Sequence, residues 1–87
     1  MSDVELPQMD FTTFVMSLGH SALVHLGDAP QPDGAVLRDI PLALQTIDIL
    51  AILVEKTHGN LTGAEERLLT QTLDDLRTRL AEVSRGA

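Results

Sequence analysis

The stretch Phe11–Leu26, FTTFVMSLGHSALVHL, runs for sixteen residues without an Asp, Glu, Lys or Arg. A helix on the outside of a small monomer normally keeps a polar face for water. This one carries bulky apolar residues on every side, relieved only by small or hydroxyl-bearing residues and two histidines. It is also shorter than the roughly 20 residues a membrane-spanning helix requires. Such a segment is expected to form a helix covered by protein on more than one side, and so to require a partner.

Chain length strengthens that expectation. With 87 residues, the chain is one small domain, of a size that buries only about 60% of the surface its unfolded form exposes. Domains this small are commonly held by disulfides, a structural metal or association. There is no cysteine, which removes disulfides and thiolate zinc sites. Association is the support that remains, with a second copy of the chain as the expected partner and another cytoplasmic protein as a further one.

The charge balance narrows the partners. A net charge of -7 leaves six basic residues, at Arg38, Lys56, Arg67, Arg77, Arg79 and Arg85, scattered along the chain. Binding to nucleic acid or an anionic membrane needs clustered Lys and Arg, so neither is expected. Phe11 and Phe14 are the only aromatic residues apart from histidine, too few for a base-stacking platform. The segment MSDVELPQMD lacks the positive and apolar regions of a signal peptide, and a cytoplasmic location is expected.

Local chemistry predicts an all-α fold: a helical hairpin followed by a heptad-patterned third helix, assembled as a homo-oligomer. Residues 1–9 read as a flexible acidic segment and 10–84 as a single helical domain. Asp10 can cap the first helix, which runs to Leu26, and Gly27 can take the left-handed position that ends it. A proline- and glycine-rich loop follows. Asp39 or Ile40 caps a second helix with Pro41 in its first turn, where a missing N–H costs nothing. This helix is expected to reach about His58, before Gly59 and Asn60. Thr62-Gly63-Ala64-Glu65 has the spacing of a capping box. In the third helix, Leu69, Leu73, Leu76, Leu80 and Val83 alternate in steps of four and three, which makes one narrow seam. Asp75 and Arg79, four apart, are expected to pair across a turn.

The apolar surface is more than one small bundle can hide. At about 100° per residue, Phe11, Phe14, Val15, Leu18, Ala22 and Leu26 form the main stripe of the first helix. Met16, Leu23 and Val24 fall outside it. In the second helix Leu42, Ile49, Leu50, Leu53 and Val54 form a broad face, with Leu44, Ala51 and Ile52 outside. The expected self-interface is therefore Phe11, Phe14, Val15, Leu18, Ala22 and Leu26, with His20 and His25 tuning it. Ser17 and Ser21 are expected to let another helix approach closely.

Signals for chemistry are weak. His20 and His25 are five apart, about 140° around a helix, and cannot chelate one ion from a single chain. A metal or small-ligand site would have to be assembled from both histidines across a subunit interface. No serine lies in a nucleophile elbow, there is no calcium loop or phosphate-binding glycine loop, and no catalytic residue, metal or cofactor is expected. In EKTHGNLT, the residues Lys56, His58 and Asn60 could form a partner-binding corner, although a helix end followed by a capping box explains most of them. A peripheral membrane adaptor working through the first helix is a third reading, against which stands the absence of a basic polar face.

Three segments, DFTTFVMSLGHSALVHLGD, QTIDILAILVEKTHGNLT and EERLLTQTLDDLR, resemble in order and spacing the bacterial domain-of-unknown-function family 1844. The likeness covers roughly residues 10–80. It implies a small, soluble, helical bacterial protein, and it directs attention to Ser17–Gly27 and Lys56–Thr62. No activity or catalytic residue comes with it. The expected function is that of a non-enzymatic helical module for oligomerisation and protein interaction in the bacterial cytoplasm.

Overall fold

A computed structural model describes residues 8–86. Most of the acidic lead-in expected at 1–9, namely residues 1–7, lies outside the described residues. Three α-helices follow: α1 (Phe11–Leu26), α2 (Ile40–Lys56) and α3 (Gly63–Gly86). Each pair of helices packs together, and the described residues contain no strand.

The helix ends have the local causes expected of them. The Asp10 carboxylate accepts from the Thr13 N–H at 2.7 Å, which satisfies a donor that the first turn leaves open. At the other end of α1, Gly27 adopts φ 82°. Its N–H donates to the Val24 carbonyl and the Asp28 N–H to the Leu23 carbonyl, the paired closure that a left-handed residue past a helix permits. Asp39 caps α2 by accepting from the Leu42 N–H at 3.1 Å, and Pro41 sits in the first turn. The capping box forms in both directions: the Glu65 N–H donates to the Thr62 hydroxyl, and the Thr62 N–H to the Glu65 carboxylate.

Two boundaries differ from expectation. α2 stops at Lys56 rather than near His58, because the Thr57 N–H and hydroxyl both donate to the Leu53 carbonyl and Gly59 turns the chain at φ 84°. α3 continues past Val83, the last residue of its expected seam, and past the expected domain end at 84, to Gly86.

The core takes three residues from each helix: Val15, Ala22 and Leu26; Ala43, Ile47 and Leu50; Leu69, Leu73 and Leu76. The α3 seam is buried as its spacing predicts, with Val83 also inside and Leu80 half-buried. The inner face of α2 is not the expected one. Leu42 and Ile49 are 42% and 40% exposed, while Ala43, Thr46 and Ile47 face inward. Thr46 is tolerated there because its hydroxyl donates to the Leu42 carbonyl at 3.1 Å, which satisfies a buried polar group locally. Close approach of α1 to its neighbour also occurs at a different place. Ser17 and Ser21 face outward, and Gly19 is the buried contact: a Cβ there would lie 3.1 Å from Thr72 Cγ2.

Candidate functional site

The first helix divides the residues expected at the interface into three groups. Val15, Ala22 and Leu26 are completely buried in the chain's own core, so they cannot touch a partner in this fold. Phe14 and His20 are exposed, and Phe11, Leu18 and His25 are half-buried. The expected stripe is therefore corrected: its centre is used within the chain and only its margin is available. The reason is that α1 is apolar almost all the way round, and the small residues Gly19 and Ala22 let the neighbouring helices come closest on their side.

Helical geometry fixes what the margins face. With Val15, Gly19, Ala22 and Leu26 inside, Phe11, Phe14, Leu18 and His25 lie on one shoulder of α1 and Met16, His20 and Leu23 on the other. The second shoulder faces α3. There Met16, Gly19, His20 and Leu23 line a groove of about 540 Å³ together with Asp28, Thr72, Asp75, Leu76 and Arg79. The first shoulder faces α2, whose start is tied to the end of α1 by the Asp39 N–H donating to the His25 carbonyl at 2.7 Å. On α2, Val54 shares a hollow with Leu69 and Thr70 of α3, which assigns that shoulder to α3. Leu42, Ile49 and Leu53 then fall on the opposite shoulder, beside α1.

Among the described residues, the large apolar side chains left open to solvent are Met9, Phe14, Met16, Val36, Leu37, Leu42, Leu44, Ile49 and Ile52. None is on α3. Charge is distributed the other way: α1 has no charged residue, whereas α3 carries nine of the nineteen charged side chains in the sequence. The exposed large apolar side chains thus lie on and around α1 and α2, helices whose charged residues are Asp48, Glu55 and Lys56 of α2 alone, while charge is dense along α3.

The main ion pair also differs from expectation. Arg79 does not pair with Asp75. It spans the molecule to Asp28, with Nε donating to Oδ2 at 2.7 Å and Nη2 to Oδ1 at 2.9 Å, and it reaches Glu82 at 3.2 Å. A carboxylate facing a guanidinium edge-on can take both bonds at once, and Asp75 instead accepts from the Gln71 amide. The hydrogen bonds from Arg79 hold the Asp28 carboxyl below the usual carboxylate range, and the same contacts raise Arg79 above its ordinary value. Asp10 is likewise lowered, by the Thr13 N–H. No local pattern announces the Asp28–Arg79 contact, since the two residues lie 51 apart in sequence.

The two histidines flank one shallow concavity of about 210 Å³, with Ser21, Val24 and Pro32 between and around them. Among the described residues no cluster of three or more His, Cys, Asp or Glu is placed to hold a metal ion. Lys56, His58 and Asn60 are all exposed at the α2–α3 turn. There the Asn60 N–H donates to the Thr57 carbonyl, and His58 borders a hollow of about 210 Å³ with Val54, Leu61 and Glu66 among its neighbours. No helix among the described residues is long and apolar enough to cross a membrane.

With this geometry in hand, the comparison with known families is decisive on one point. The family described as Domain of unknown function (DUF1844) matches residues 8–82. The chain belongs to that family. The DUF1844 match takes in all of α1 and α2 and α3 up to Glu82, so the three-helix unit is what this member of the family shares with it. No curated protein and no solved structure matches the chain.

Proposed function

We propose that this DUF1844 protein is a non-enzymatic helical module that self-associates and presents its assembled form to other cytoplasmic proteins. The observation that supports this reading is the one-sided distribution of exposed apolar side chains: all nine lie outside α3. Where such side chains lie together they mark contact sites in proteins that otherwise keep a polar exterior. The acidic balance of the rest keeps such an assembly soluble and supplies a face for a basic partner. Light scattering over a concentration series tests it. The expected mass exceeds the 9.4 kDa of one chain and rises with concentration as mass action requires. A constant 9.4 kDa at roughly tens of micromolar overturns the reading.

The α1–α3 groove supports a second reading, in which a small ligand sits beside His20. Its volume falls within the roughly 300–1,000 Å³ typical of ligand sites, and its floor is apolar with polar groups around it. Native mass spectrometry of untagged protein tests this reading: a retained molecule of constant mass supports it, and bare chains alone count against it.

A further inference from the structure

We infer that the interface between copies is the α1–α2 face, with Phe14 and Ile49 at its centre, closing on the same face of a second copy. This rests on the self-association reading and adds to it the surface that performs it.

Phe14 on α1 and Leu42 and Ile49 on α2 are 39%, 42% and 40% exposed, and they lie on the shoulders that these two helices turn toward each other. Leu18 and Leu53, half-buried and packed against the core, lie deeper on the same two shoulders. The outer side of the hairpin is therefore an apolar face.

Charge selects the occupant. Every copy carries a net charge of -7, so two copies repel unless they meet where charge is absent. On α1 nothing is charged. On the adjoining shoulder of α2, the positions 42, 45, 49, 52 and 53 are Leu, Gln, Ile, Ile and Leu, and the first charge encountered is Lys56 at the helix end. Asp48 and Glu55 fall on the other side of Ile52, away from α1. A strongly charged partner gains nothing from this face, whereas a second copy can bury it without burying a carboxylate.

Size sets the strength of the contact. Two helices of about 16 residues side by side present a face roughly 24 Å long and 20 Å wide, about 480 Å² when taken as flat. That is below the roughly 800 Å² that a standard interface takes from each partner and suits an association that follows concentration.

The chain has no cysteine, so one introduced thiol reports on one place. Full-length Ile49→Cys and Phe14→Cys, oxidised at low concentration, are expected to give disulfide-linked dimers, and Leu44→Cys and Met16→Cys, more exposed but on other shoulders, are not. In parallel, Phe14→Glu and Ile49→Glu are expected to reduce the scattering mass to 9.4 kDa with helical circular dichroism retained, while Met16→Glu and Leu44→Glu leave the assembly intact. An assembly that survives both Phe14→Glu and Ile49→Glu, or that is cross-linked through position 16 or 44 instead, overturns this face and leaves self-association standing. A monomeric wild type overturns both.

Discussion

The third helix and the α1–α2 hairpin bury their apolar residues under different rules. α3 carries one seam of Leu69, Leu73, Leu76, Leu80 and Val83 and surrounds it with charge, so only one orientation satisfies it. α1 and α2 have apolar residues around most of their circumference, and packing within one chain consumes only part of that surface. A helix with a single stripe is satisfied by its own fold. A helix with two shoulders of Phe, Leu and Ile is left with surface that the fold alone does not cover.

The largest effect that sharpens this contrast is in the α3 seam. Leu69 is 1% exposed, and Leu69→Ala is expected to lower stability by about 2–5 kcal/mol in chemical denaturation, from lost burial plus the cavity left behind. Because the seam lies within one chain, this loss should not vary with protein concentration. Ile49→Ala should instead cost more as concentration rises, and equal behaviour of the two would erase the distinction between helix types.

Gly19 tests the boundary between the two regions. Gly19→Val places atoms against Thr72 on α3, where even a Cβ would lie at 3.1 Å, and overpacking of this kind costs typically 1–3 kcal/mol. Adding Thr72→Ala should recover part of that loss in a double-mutant cycle. Additive losses would mean that the close approach is unimportant.

A smaller change is expected at the start of α3. Thr62→Ala removes the hydroxyl that accepts from the Glu65 N–H and should cost about 1 kcal/mol, read as a lower denaturation midpoint with the oligomeric mass unchanged.

The Asp28–Arg79 contact joins the hairpin to α3 at the surface, and Asp28→Asn should have a weaker effect than loss of the cap because exposed ion pairs contribute little. Its pH signature is specific. The folded-state pKa of Asp28 is depressed, so the contribution is present above the unfolded value of about 3.9 and is lost as pH falls through the folded value. Wild type and Asp28→Asn should therefore differ at neutral pH and converge in strong acid. Last, Asp74→Asn on the wet side of α3 should change stability by less than about 0.5 kcal/mol by the same denaturation measurement.

Much of the candidate surface was legible as a set and misassigned within it. Phe14 and Leu42 announce themselves as surplus apolar residues, but no periodicity says that Phe14 is outside while Val15 and Ala22 are inside. In a segment with apolar residues at most angles, the direction of the core depends on which neighbours come closest, and Gly19 decides that only once Thr72 of α3 is present.

The limits of α1, the caps at Asp10, Asp39 and Thr62, the left-handed turn at Gly27 and the inward seam of α3 follow from the chain alone, because each depends on hydrogen bonds or periodicity within a few residues. Which shoulders of α1 and α2 stay in water, and that Arg79 reaches Asp28 in place of Asp75, were decided by tertiary packing. Those outcomes depend on distances between segments far apart in sequence, where several partners of equal chemistry compete and only their placement in space selects one.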